Sequence, residues 1–274
     1  MLPSSIQSIA EMIERETGIV FGDSNLYQLK TRLEDLAKTS NISSVDELSQ
    51  KILQGDPVLR GKLLDQATNN ETLFFRDPAF FNALESFVIE EILPRDPKEI
   101  KIWSAASSTG QEALSVAMTL ENLNKRLKIP SYSIIATDIA DRAIAKAKSG
   151  LYSDFEVMRG LSDAHKAEYF RRESNGWHVR SEISSKINYG FNNLIKSNVR
   201  GPFHIILCRN VLIYQRMEMK KVVINSLMNE LSLDGGIMLG VGETLLGIAE
   251  NVTTTILGSV IIYRNHNGKS LKAS

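Results

Sequence analysis

The chain is 274 residues long, 43% hydrophobic and 23% charged, so it is expected to fold around a sizeable core rather than stay disordered. Lysine plus arginine equals aspartate plus glutamate at 32 each, which leaves no bulk charge for holding nucleic acid or an anionic membrane. The single cysteine, Cys208, excludes a disulfide framework or a cysteine-based zinc cluster; with no apolar run near ~20 residues and no secretory leader pattern, a cytoplasmic protein is expected.

Residues 1–68 read as an all-helical domain. Pro3-Ser4-Ser5 offers a helix start, and Ile6, Ile9 and Ile13 keep helical spacing until Gly18 and Gly22-Asp23. Leu26, Leu29, Leu33 and Leu36 make a second stripe, with Lys30, Arg32 and Lys38 forming either a local basic stripe or an ordinary solvated face. Ser44-Val45-Asp46-Glu47 has the spacing of a capping box, and Gly55-Asp56-Pro57 separates a third helix from a fourth. Residues 69–95 read as a linker and connecting helix. Asp77-Pro78 has the pattern of an N-cap followed by proline at the first helical position.

From Ile100 onward strands and helices alternate, which predicts a parallel, doubly wound sheet over 96–274 with ligands at the carboxyl ends of its strands. Expected strands are Lys101–Ala105, Ser131–Thr137, Phe203–Leu207, Ile237–Val241 and Ser259–Tyr263. Expected helices are Glu112–Lys125, Asp141–Lys148 and Met217–Leu231, the last stopped at Asp234-Gly235-Gly236. Between about 160 and 190 the alternation breaks. A short helix over 164–170, the turn dipeptide Asn175-Gly176, and the segments Trp177–Arg180 and Lys186–Tyr189 predict a small antiparallel insert.

Three places carry chemistry. The turn Ser104–Glu112 joins a strand to a helix through small residues and one glycine, so it is neither a GxGxxG fingerprint nor a P-loop. Thr109-Gly110-Gln111-Glu112 also fits a capping box. Asp138 ends the second strand, where an acid accepts ribose hydroxyls or else caps the helix that follows. A ligand with a ribose but no phosphates suits both features. The apolar strand at 203–208 delivers Arg209 and Asn210, with Tyr214 just beyond; a salt-bridged strand end is the other reading of Arg209. Cys208 reads as a small buried hydrophobe. His165, His178, His204 and His266 share no metal-like spacing.

Together Asn70-Glu71-Thr72-Leu73-Phe74-Phe75-Arg76, Trp103–Glu112, Ala136-Thr137-Asp138-Ile139, Asn193-Leu194 and Cys208–Tyr214 resemble the chemotaxis-receptor methyltransferase family, CheR, over nearly the whole chain. The resemblance implies an all-helical N-terminal domain and a Rossmann-like α/β methyltransferase sheet carrying the antiparallel insert. It implies S-adenosylmethionine (SAM) as cofactor, S-adenosylhomocysteine as product, and no metal. It implies methyl esters on glutamates of the cytoplasmic helical bundle of chemoreceptors, made by a monomer that touches neither nucleic acid nor the membrane interior. By position, Asn70, Thr72, Arg76, Glu112, Asp138, Asn193, Leu194, Arg209 and Asn210 match cofactor contacts. Arg76 and Tyr214 match groups near the transferred methyl. Two departures stand out. Gln111 and Ala113 replace an acid and a proline of the family pattern, which is expected to weaken the pocket. The hairpin around Arg171–Trp177 is short, so no tethering to a receptor's C-terminal pentapeptide is expected. Two further readings are a SAM-binding adaptor that no longer transfers methyl, and a methyltransferase for a small acid.

Overall fold

The structure, a computed structural model, describes residues 4–22, 25–250 and 252–265; Pro3, Asp23 and His266 lie outside them. Helices α1 (Ser4–Thr17), α2 (Leu26–Thr39), α3 (Val45–Leu53) and α4 (Pro57–Ala67) pack their apolar stripes into one small core. Ile6, Ile9, Ile13, Leu29, Leu33 and Leu36 are all buried there. Caps set the boundaries. Ser44 accepts from the Glu47 amide, but the Glu47 carboxylate accepts from Ser43 rather than the Ser44 amide, so the expected capping box is only half formed; Asp56 accepts from the amides of Val58 and Leu59. Arg32 leaves the basic stripe: its guanidinium donates to the Ala67 carbonyl at 2.8 Å, serving the unpaired end of α4.

Next come α5 (Pro78–Phe87), β1 (Glu99–Ala105), α6 (Gln111–Leu127), β2 (Ser131–Asp138), α7 (Asp141–Ser149) and β3 (Leu151–Tyr152). Then follow α8 (Asp154–Met158), α9 (Asp163–Tyr169), β4 (Phe170–Glu173), β5 (Gly176–Val179), α10 (Ser181–Ser184), β6 (Ile187–Phe191) and β7 (Phe203–Cys208). The chain closes with α11 (Met217–Asn229), β8 (Leu231–Leu239), β9 (Val252–Leu257) and β10 (Val260–Asn265). Seven strands form the main sheet in the order β6-β2-β1-β7-β8-β10-β9. The five strands from β6 to β8 are parallel, and β10 runs antiparallel to both its neighbours. One core lies on the α5–α6 face and the other under α11. The strand order reverses between β1 and β7, so a crevice opens at their carboxyl ends.

Two expectations need correction, and one strand was not expected. Lys186–Tyr189 does not belong to the antiparallel insert. It leads into β6, which pairs in parallel with β2 and buries Ile187 and Tyr189 in the main core. The small sheet takes β3 instead, in the order β3-β5-β4. Gly235-Gly236 does not stop a helix but lies inside β8; α11 ends earlier, at Asn229. These glycines answer close packing. A Cβ at Gly235 would meet the Phe203 carbonyl at 2.6 Å, and one at Gly236 would collide with Ile262. Finally, β9 falls in a polar stretch, Thr253-Thr254-Thr255, that carries no apolar alternation. Pairing with β10 makes it a strand.

Candidate active site

The crevice at the strand ends is a cleft whose walls come from all three parts of the chain. All ten residues singled out from the sequence line it: Asn70, Thr72 and Arg76 from the linker, Glu112 from α6, Asp138 from β2, Asn193 and Leu194 after β6, and Arg209, Asn210 and Tyr214 after β7. These residues span positions 70 to 214 of the chain, and only the switch point of the sheet brings them together.

Backbone in and beside the cleft is held in the left-handed region, which disfavours residues carrying a Cβ by about 1–2 kcal/mol each. Phe75 (φ 48°), Asp77 (φ 62°), Ala106 (φ 64°), Ser108 (φ 52°) and Asn210 (φ 59°) all adopt it. Side chains and neighbouring strands hold these turns. The Phe75 amide donates to Ser115 Oγ at 2.9 Å, and the Ser108 amide to Asp138 Oδ2 at 2.8 Å. The Ser107 amide donates to the Thr137 carbonyl at 2.8 Å, fixing the turn behind Ala106. The Asp77 carboxylate receives Arg209, and the Asn210 amide donates to Glu243 Oε2 at 2.6 Å. Strain at these positions is over-determined by surrounding contacts, as at other preorganised sites.

Asp138 is only 5% exposed. Its second oxygen accepts from the Ala140 amide at 2.9 Å. Burial pushes the carboxyl above the ordinary aspartate value, against the backbone amides of Ala140, Ser108 and Ile139 that pull it down. It does not cap α7, whose N-cap is Ala140. Glu112 likewise caps nothing. Gly110, at φ 93°, is the N-cap of α6, and no capping box forms over 109–112. Instead Glu112 Oε1 accepts from Ser104 Oγ at 2.7 Å and its Oε2 pairs with Arg209 at 3.1 Å. Asp77, expected to cap α5, also turns to Arg209, at 2.7 Å. The salt-bridged strand end is therefore present. The Arg209 side chain is 2% exposed, stacks over Phe80 with its Cζ 3.9 Å from the ring centroid, and joins linker, β7 and α6 in one strut.

Gln111, expected to weaken the pocket, does not line the cleft. It is buried, and its Oε1 accepts from Thr109 Oγ1 at 2.7 Å. The Asn193 amide is occupied on both sides, donating to the Glu16 carbonyl at 2.7 Å and accepting from the Ile195 amide at 3.0 Å. Its neighbour Asn192, missed in the sequence, lines the cleft with a buried Nδ2 that has no hydrogen-bond partner among the described residues; Ser107 Oγ is in the same state. Such orphaned groups at a cleft wall are what a bound polar ligand satisfies. Tyr214 Oη accepts from Asn69 Nδ2 at 3.0 Å, which leaves its own proton free to donate. Among the described residues, the Arg76 side chain makes no hydrogen bond or ion pair, although it is only partly exposed.

The helical domain reaches the same place. Thr17 and Ile19, at the end of α1, line the cleft, and Ile19 forms a β-bridge with Gln215 beside Tyr214. Arg216 pairs with Glu14 at 2.7 Å across that junction.

Residues 4–68 match the family model for the CheR methyltransferase all-alpha domain, and residues 70–259 match the CheR methyltransferase SAM binding domain. The chain belongs to the CheR methyltransferase family. It is similar to the chemotaxis protein methyltransferase of Vibrio parahaemolyticus, with 35% identity over 263 residues covering 94% of this chain and 95% of the relative. Chemotaxis protein methyltransferase 1 of Vibrio cholerae matches to the same extent. Chemotaxis protein methyltransferase Cher2 of Pseudomonas putida is 34% identical over 261 residues, covering 92% of this chain and 94% of the relative. This CheR chain is an S-adenosylmethionine-dependent methyltransferase with the family's helical domain and Rossmann-like SAM domain. No helix of the described residues is long and apolar enough to cross a membrane.

Proposed function

We propose that the chain transfers the methyl group of SAM to glutamate side chains on the cytoplasmic helical bundle of chemoreceptors, giving glutamate methyl esters. It would do so in the cytoplasm, as a monomer, without a pentapeptide tether. When bound, the cofactor supplies an electrophilic methyl on a sulfonium centre and leaves as S-adenosylhomocysteine. Asp138, at the end of β2, is suited to the ribose hydroxyls. Asn70, Thr72, Glu112, Asn193, Leu194, Arg209 and Asn210 form the rest of the proposed cofactor wall, and the unpartnered Asn192 Nδ2 and Ser107 Oγ fit the polar edges of an adenosyl amino acid.

The observation that carries the reading is Arg76: a partly buried residue in the cleft wall whose guanidinium pairs with no carboxylate among the described residues. A glutamate side chain, with an ordinary pKa of ~4.3, arrives already ionised. Its oxygen can form the new bond to carbon without giving up a proton. The enzyme therefore needs no general base; it needs placement and exclusion of water. Arg76 orients the incoming carboxylate while staying charged, and Tyr214 donates one hydrogen bond to it. Leu73, Ile139, Leu194 and Val211 supply an apolar lining. The two-residue turn between β4 and β5, Ser174-Asn175, supports the absence of a tether, because it projects no loop that would receive a peptide.

The test is transfer of labelled methyl from SAM to receptor-containing membranes. Label should appear, disappear when the receptor glutamates become alanine, and persist when the receptor's last five residues are removed. SAM binding by calorimetry without any transfer would leave only a cofactor-binding adaptor.

A further inference from the structure

Glu243 lies on the loop after β8 and does not line the cleft, yet one carboxylate gathers four backbone donors. Its Oε1 accepts from the amides of Val211 at 3.0 Å and Leu212 at 2.8 Å. Its Oε2 accepts from those of Asn210 at 2.6 Å and Gly240 at 2.9 Å. The first three belong to the loop that follows β7, including Asn210 in its left-handed conformation. That stretch has no strand partner for these amides, and a buried unpaired amide is costly. Charge-assisted bonds to a carboxylate are stronger than neutral ones, and here all four donors converge on one group. Gly240 completes the arrangement. A Cβ there would stand 2.7 Å from Glu243 Oε2 and 2.9 Å from the Asn210 nitrogen, so the carboxylate and the loop occupy the space a side chain would need.

We propose that Glu243 is a positioning residue: it clamps the 210–212 backbone so that Asn210 is presented to the cleft in its working geometry. This rests on the reading that the loop after β7 contacts the cofactor. Asp138 holds the turn after β1 in the same fashion, through the Ser108 amide, so the two sides of the cleft are set by parallel devices. Because Glu243 stands outside the cleft, it acts only through the backbone it holds.

Glu243→Gln keeps the size but leaves one acceptor oxygen and turns an NH2 group toward two N–H donors. In the full-length protein, SAM affinity measured by calorimetry should fall on the order of tenfold, and kcat should fall with it, since two of the four bonds are lost and the other two lose their charge assistance. The KM for receptor membranes should not move. Hydrogen exchange should show lost protection at Asn210, Val211, Leu212 and Gly240, with β1 and β2 unchanged. A merely structural role would lower the melting temperature without this local pattern or the split between cofactor and receptor constants. If E243Q does not fold, Gly240→Ala decides, because it retains the carboxylate and wedges it from Asn210; the same split is expected. SAM affinity and amide protection at wild-type level in the variant that folds overturn the proposal. Asn210→Ala, measured alongside, tests the underlying reading separately. Unchanged SAM binding there removes the loop's cofactor contact, whereas weakened binding in N210A with wild-type E243Q removes only the clamp.

Discussion

Replacing Arg209 with methionine should be among the most damaging single changes available in the SAM domain. Methionine keeps the volume and removes the cation. Two carboxylates then lose their partner, and they do not suffer equally. The Asp77 side chain is 35% exposed and can be rehydrated, whereas that of Glu112 is 12% exposed and cannot. Glu112 would keep only the Ser104 hydroxyl. Stripping one partner from a buried ion pair typically destabilises by about 3–5 kcal/mol. The Arg76 carbonyl loses its donor as well, worth about 1 kcal/mol. For a protein of this size, that corresponds to a drop of about 10 °C in melting temperature. The assay is urea unfolding of the cofactor-free protein at neutral pH, followed for wild type, R209M, E112Q and the double variant. Removing both charges deletes the unpaired carboxylate, so R209M/E112Q should recover at least about 2 kcal/mol relative to R209M. A loss under about 1 kcal/mol for R209M, or a double variant no more stable than the single, would refute the strut.

Gly110→Ala should destabilise the cofactor-free protein by about 2–4 kcal/mol in the same unfolding assay. It forces a Cβ into φ 93°, and that Cβ would meet Ala147 Cβ at 2.9 Å and the Tyr189 and Tyr152 hydroxyls at 3.0 and 3.1 Å. Arg76→Ala, which breaks no side-chain hydrogen bond or ion pair among the described residues, should change stability by no more than about 0.5 kcal/mol while lowering methyl transfer by on the order of a hundredfold; wild-type turnover by the purified variant would remove Arg76 from the reaction. The raised pKa of Asp138 has a pH signature. The native state holds this proton more tightly than the unfolded chain, so its contribution to stability falls as pH rises from the ordinary aspartate value through the raised native one. That slope should vanish in Asp138→Asn, measured by unfolding across mildly acidic pH. SAM affinity should move the other way, weakening as pH falls through the raised native value, because the carboxylate is the better acceptor for ribose hydroxyls.

The alternation of strands and helices apart from β6 and β9, the helical domain's core and the cleft's principal residues were legible in the sequence. Leucines and isoleucines at helical spacing mark α1 and α2. Asp138, Arg209 and Asn210 stand at the ends of apolar strands, where a parallel sheet places its ligand, so local pattern and site coincide. The sequence did not reveal how those residues are held. Whether Glu112 caps a helix or pairs with an arginine 97 positions away depends on where β7 lies beside β1, and that depends on long-range pairing. The left-handed turns at Phe75, Ala106 and Ser108 have no signal in residue type, because none of these residues favours that conformation and tertiary hydrogen bonds impose it. Gly235-Gly236 looked like a stop because glycine's usual local meaning is a turn; in the fold it yields space to β7 and Ile262. Glu243 carried no local mark at all. Periodicity and strand ends are written in neighbouring residues, and the sequence alone determines them; which buried charge meets which, and which backbone is strained to serve the cleft, is decided only when distant segments share one interior.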